Sequence, residues 1–188
     1  VAADDDVLVV EVTDERDSPT PIDVKLAMWR DPEVRNGVHT AAYAWRQATG
    51  QVAVVQTFRE AEHFCASAVA ASSPGVEAQV LDGDARSRVL RLPPERGTRT
   101  VLVAGAATLD ERCDAGAAAE GILAALAAPE ALAGAEERHR RWWRGFWEGT
   151  YIRIRSLDGR GEQAARDRRL YLYHMACTSR GAYPPKWN

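Results

Sequence analysis

Long apolar runs are missing from this chain. The longest, around Gly121 to Ala128, is alanine-rich and well short of the roughly 20 residues that cross a bilayer. No membrane-spanning helix is expected. The three cysteines, Cys65, Cys113 and Cys177, are odd in number and far apart, which argues against a disulfide framework or zinc-finger spacing and predicts buried free thiols. The chain has no G-x-S-x-G elbow and no phosphate-cradling G-x-x-x-x-G-K, so it presents neither a nucleophile elbow nor a P-loop. Its four histidines, His39, His63, His139 and His174, fall in four different elements without H-x-x-x-H spacing. No metal site and no cofactor are expected. At the N-terminus no charged segment precedes an apolar one, a pattern that neither shows nor excludes a leader.

What is present is unevenly charged. Residues 1–110 carry 17 acidic and 11 basic side chains, and residues 111–188 carry 10 and 13. The excess arginine is interleaved with apolar positions and does not form the dense cationic run that neutralises a phosphate backbone. Nucleic-acid binding therefore ranks last among the readings.

Up to Thr108 the pattern is strand-like. Val7 to Val12 is β-branched, and Ile22, Val24, Leu26 and Met28 alternate with Asp23, Lys25, Ala27 and Trp29, the period of a half-buried strand. Residues 38–47 place His39, Ala41, Tyr43 and Trp45 on one face, and Ala48-Thr49-Gly50 is read as a hairpin turn into residues 51–58. Further strands are expected near 64–70, 76–81, 86–92 and 99–104, separated by Pro- and Gly-containing breaks. Six to eight such strands predict an antiparallel β-sandwich over residues 1–108.

The period then changes. Thr108 and Glu111 have the spacing of a capping box, ahead of an alanine-rich helix that Pro129 ends while opening the next. That second helix carries the most distinctive stretch of the chain, Arg138-His139-Arg140-Arg141-Trp142-Trp143-Arg144-Gly145-Phe146-Trp147. On a helical wheel His139, Trp142, Trp143, Phe146 and Trp147 fall within roughly 140° and the arginines take the rest. Such a face is expected to pack as a strut between domains. Residues 150–156 read as one more strand, Asp158-Gly159 as a turn, and residues 161–180 as a last helix with Leu170, Tyr173, His174 and Cys177 on one stripe. The expected division is residues 1–108, a helical linker with one strand over 109–157, and the start of a further domain at 158–188.

The local carboxylate clusters are Asp4-Asp5-Asp6, Asp82 with Asp84, and Glu60 with Glu62. All read as solvated turns or strand ends. Nothing selects a pair at the roughly 5–9.5 Å that glycoside hydrolysis uses.

The segments His139 to Trp147, Tyr151-Ile152-Arg153-Ile154, and Leu170 to Asn188, with Ser179-Arg180-Gly181 and Pro184-Pro185, together resemble the H-x-x-W-W-x-x-F-W…Y…S-R-G-x-x-P-P junction of six-hairpin glycosidases. The group they resemble is the glycoside hydrolase family 95-like proteins, whose better known members are α-L-fucosidases. Residues 139–188 carry the likeness; the first 110 share only their β-richness.

The resemblance implies an N-terminal β-sandwich, a helical linker and an (α/α)6 toroid, of which this chain would hold the later sandwich, the linker and the first toroid helix. It implies an inverting mechanism, with a Glu as general acid and an Asp, helped by asparagine, directing water. Those residues lie beyond Asn188 in the family pattern, so the resemblance implies no catalytic residue in this chain. It implies a carbohydrate substrate, the remainder of the catalytic domain as partner, and a secreted or periplasmic location. It also implies Lys186, Trp187 and Asn188 as rim contacts of the sugar cleft, with pinning of that loop against the sandwich as an equal alternative. The rival expectation is a non-catalytic β-sandwich module that binds carbohydrate or protein.

Overall fold

The computed structural model describes residues 5–178. The chain divides into two compact units, Val1–Arg140 and Arg141–Asn188.

The first unit is built on nine antiparallel strands. These are β1 (Val7–Asp14), β2 (Ile22–Ala27), β3 (Glu33–Asn36), β4 (His39–Ala48), β5 (Gln51–Glu60), β6 (His63–Ser72), β7 (Gln79–Asp82), β8 (Ser87–Leu92) and β9 (Gly97–Thr108). Six form one sheet in the order β1-β9-β6-β5-β4-β3, and three form a smaller sheet in the order β2-β8-β7. The β4–β5 turn closes between Ala48 and Gln51, and Gly50 supplies the left-handed conformation it needs, at φ +69°.

Side-chain alternation gives the large sheet two different faces. On one, Val52, Ala71 and Val101 pack against Leu90 and Leu92 of the small sheet, with Trp45, Val24 and Val80 around them. On the other, Ala53, Ala66, Ala68, Ala70, Leu102 and Ala104 receive helix α1 (Ala115–Ala125) through Ala115, Ala119 and Leu123. A helix seated on alanines lies close to the sheet. A Cβ built on Gly116 would stand 2.6 Å from the Arg46 guanidinium and 2.7 Å from Val55 Cγ2. Helix, six-stranded sheet and three-stranded sheet thus make three layers.

Strand β3 was not expected from the sequence. Its Glu-Val-Arg-Asn is exposed throughout and Pro32 precedes it, so it carries little apolar signal. It closes the edge of the large sheet with charged side chains, which discourages pairing with another chain.

The capping box at Thr108 does not form. The N-cap of α1 is Asp114, which accepts from the Ala117 amide at 3.1 Å. Thr108 ends β9 and its hydroxyl accepts from the Asp110 amide, while Glu111 pairs with Arg59 of β5. Tertiary pairing therefore took the carboxylate that the local pattern assigned to the cap. Arg46 Nη2 donates to both Asp114 oxygens, at 2.8 and 2.9 Å.

That pairing, with the Ala117 amide, lowers the Asp114 pKa from its ordinary 3.8. A carboxyl lowered by folding contributes stability that is present above its ordinary value and is lost as pH falls through the lowered one. Asp114→Asn keeps a capping acceptor without the titration. We expect its urea midpoint to drop less than the parent's between pH 7 and pH 3; an equal drop would remove Asp114 from the acid response.

Helix α2 (Pro129–Thr150) begins at Pro129, whose missing N–H costs nothing in a first turn. Its first half belongs to the first unit: Ala135 is buried, Leu132 packs on the helix-side core, and Arg138 pairs with Asp5 at 2.9 Å.

In the second unit the expected strand at 150–156 is absent. α2 continues to Thr150, and residues 151–156 have no regular structure. The alternation of Tyr151, Ile152, Arg153 and Ile154 finds no strand to pair with, and all four side chains are exposed. Arg168 instead donates to the Thr150 carbonyl at 2.5 Å, satisfying a group that the helix end leaves open. Helix α3 (Arg160–Thr178) follows the turn at Gly159, φ +74°; Asp158 accepts from the Arg160 amide and the Ser156 hydroxyl donates to Asp158.

Candidate functional site

The small sheet covers only part of the large sheet's face. Rows that include Trp45 and Val52 lie under it, whereas two rows further along are not in that core. Register places Val34, Ala41, Phe58 and Cys65 in one of these rows, and Tyr43, Gln56 and Ser67 in the other. Side chains spaced by two in β4, β5 and β6 share a face, so both rows point the same way.

The groove over these rows has a volume of about 380 Å³ and is also lined by Trp29 and Arg30. Those two residues lie on the crossover from β2 of the small sheet to β3 of the large one. The crossover is held at both ends. The Met28 amide donates to the Arg86 carbonyl at 2.8 Å, and the Tyr43 amide donates to the Pro32 carbonyl at 2.9 Å. Arg86 also pairs with Asp31 at 2.5 Å.

Trp29 is 86% exposed, unusual for the largest apolar side chain. Arg30 lies over the Tyr43 ring, 5.3 Å from its centroid, and donates to the carbonyl of Ala42 at 3.2 Å and to Gln56 Oε1 at 3.5 Å. Gln56 donates in turn to the Ser67 hydroxyl at 2.7 Å. A guanidinium, an amide and a hydroxyl therefore run in line across an otherwise apolar floor. A few ordered polar groups in an apolar concavity are what a small-molecule site requires.

The second unit has an aromatic ladder. Trp142 stacks on Phe146 with centroids 5.4 Å apart, Trp143 on Trp147 at 6.1 Å, and Trp143 on Tyr173 of α3 at 5.3 Å. A concavity of about 540 Å³ beside it is lined by Trp147, Tyr151, Arg166, Arg169, Leu170 and Tyr173. Arg169 sits 5.9 Å from the Tyr151 ring centroid. The Tyr173 phenol is pushed up by its hydrogen bond with Cys177.

Each of the acidic clusters has members that are already paired. Asp82 pairs with Arg88 at 3.0 Å, Glu60 lies 3.3 Å from His39 Nδ1, and Asp84 is lowered by the Ser87 hydroxyl and the Arg86 amide. Asp23 is lowered by Arg91, Asp110 by Arg112, and Glu111 by Arg59. The Asp23, Asp84, Asp110 and Glu111 carboxyls are held as anions, the opposite of what a general acid needs. Among the described residues no three His, Cys, Asp or Glu gather as a metal site, and no single helix is long and apolar enough to cross a membrane.

Lys186, Trp187 and Asn188 lie outside the described residues, as do Ser179 to Pro185. The thiols depart from expectation: Cys65 is half-buried in the groove, but Cys113 and Cys177 are exposed. Cys113 falls in the turn before α1 and Cys177 near the end of α3, neither of which is covered. No local motif marked the groove, because Arg30, Gln56 and Ser67 come from separate segments. The alternation expected over residues 22–29 ran through Trp29, which the structure places past the end of β2 on the crossover.

Fold and site define a class, an antiparallel β-sandwich carrying a helix on its outer face and followed by a helical unit. The sequence matches no protein-family model, and no curated protein matches it significantly.

Proposed function

We infer that this chain is the supporting sandwich and linker of a glycoside hydrolase, with inversion carried out by carboxylates that follow Asn188. The observation that carries this reading is the open stripe on α3. Leu170 is 59% and Tyr173 53% exposed, and Cys177 is exposed beside them. An apolar stripe of this kind needs a neighbouring helix to cover it, and a toroid of helix pairs supplies one. The residues that carry the resemblance also lie together, since the stacks Trp142–Phe146 and Trp147–Trp143–Tyr173 meet edge-on in one aromatic cluster.

The lowered carboxyls support the same division of labour. With Asp23, Asp110, Glu111 and Asp114 held as anions by arginines, this portion positions and supports while cleavage occurs elsewhere. The 188-residue chain is therefore expected to release no sugar from aryl glycosides or oligosaccharides. The protein extended past Asn188 is expected to hydrolyse a glycoside with inversion at the anomeric carbon, read by proton NMR of the first product formed. Hydrolysis by the 188-residue chain, or retention by the extended one, overturns this reading.

A further inference from the structure

The groove on the large sheet does not enter the hydrolase reading, and its chemistry points to a ligand of its own. Arg30 is the key group. Its hydrogen-bond acceptors, the carbonyls of Asp31 and Ala42 and the amide oxygen of Gln56, are neutral and sit at 3.2 to 3.5 Å, the long end of the range. Among the described residues it forms no ion pair. The acidic side chains next to it in sequence are taken by other arginines, Asp31 by Arg86 and Glu33 by Arg35. A cation is thus left on the wall of an apolar groove, facing no anion of its own.

The floor supplies the complementary half. Gln56 donates to the Ser67 hydroxyl, and a hydroxyl that accepts keeps its own proton to donate. Trp29 presents an exposed ring at the rim. A pyranose ring has an apolar C–H face for an aromatic surface and hydroxyls for an amide and a serine. A carboxylate on that ring would take the guanidinium fork, which matches two oxygens at once.

We propose that the Trp29–Arg30–Gln56–Ser67 groove is a binding site for a saccharide that carries a carboxylate, a uronic-acid unit of a glycan. Arg30 reads the carboxylate, Gln56 and Ser67 read ring hydroxyls, and Trp29 covers a C–H face. Residues 1–110 carry a net charge of −6, so the long-range field disfavours polyanions and selectivity must come from this local contact. The crossover anchored at Met28, Asp31 and Tyr43 holds the site in place before the ligand arrives.

The test is calorimetric titration of the 188-residue chain with a trisaccharide of galacturonic acid and, in parallel, a neutral trisaccharide of glucose. The acidic sugar is expected to saturate one site and to bind at least about tenfold more tightly than the neutral one. Arg30→Gln is expected to remove about tenfold or more of the affinity for the acidic sugar and to leave the neutral one unchanged. Trp29→Ala weakens both, Trp29→Phe restores part of the loss, and Arg96→Gln, on another surface, has no effect. Unchanged melting temperatures confirm that each variant folds, as the exposure of Trp29 leads one to expect.

Equal affinity for the two sugars, no binding of either, or indifference to Arg30→Gln overturns the proposal. So does sedimentation showing self-association that Trp29→Ala abolishes, since the groove would then seat a second copy. None of these results bears on hydrolysis, which the inversion assay decides separately.

Discussion

Leu90→Ala is expected to destabilise the sandwich by about 2–5 kcal/mol, the range for removing a buried leucine without full collapse of the space. Leu90 is completely buried in the central strand of the small sheet, opposite Val24 on one side and Val80 on the other. It meets Val52, Ala71 and Val101 of the large sheet. Val52, Ala71 and Val101 are too short to swing into the vacancy. At about 2–4 °C per kcal/mol for a chain of this size, thermal melting followed by circular dichroism resolves the effect. A shift below 2 °C would mean that the two sheets are not packed through Leu90.

The second large effect is expected at Gly116, where Gly116→Val lowers stability by about 1–3 kcal/mol through overpacking. Two terms compete. Replacing a glycine inside a helix gains up to about 1 kcal/mol of propensity, most for alanine and less for a β-branched residue. Against this, any Cβ meets the Arg46 guanidinium and Val55 Cγ2 well inside contact distance. The guanidinium can move aside, but it then releases Asp114, the N-cap of α1. Val55 belongs to the sheet and has less room. Alanine is therefore expected near break-even and valine clearly destabilising, measured as urea midpoints at constant m. A stabilising valine would show that α1 does not lie close on the sheet.

The two substitutions probe different layers. Leu90 tests sheet on sheet, where bulky aliphatic side chains interlock, and Gly116 tests helix on sheet, where alanines bring the backbones together. The alanine layer explains why α1 is short and still well held. Its binding face consists of Ala115, Gly116, Ala119 and Leu123, small enough for close approach over a short length.

Several features of the chain were legible before any fold was known. Alternation marks the strands at residues 22–27 and 39–48 because a half-buried strand must show period two, and Thr49-Gly50 marks the hairpin because the turn requires a positive φ. Pro129 marks the start of α2, and the spacing of Trp142, Trp143, Phe146 and Trp147 marks its aromatic face. These are local consequences of backbone geometry. They need no partner to be read.

Other features were decided by contacts between distant residues. The N-cap of α1 is Asp114, while Thr108 stays paired with Ala66 in β9 and Glu111 pairs with Arg59, some fifty positions away, contacts no window of sequence displays. Tyr151 to Ile154 alternates like a strand yet forms none, since a strand exists only when another edge accepts its hydrogen bonds. The candidate site belongs to this second group. Trp29 was legible only as a member of an alternating run, and Trp29, Arg30, Gln56 and Ser67 came together only when sheet register aligned β5 with β6 and the crossover brought β2 over to β3. The sequence alone sufficed for the β4–β5 hairpin, the start of α2 and its aromatic face, because those follow from side-chain period and φ. The tertiary structure alone decided which charges are neutralised and which remain open, because an ion pair depends on distance in space and not along the chain.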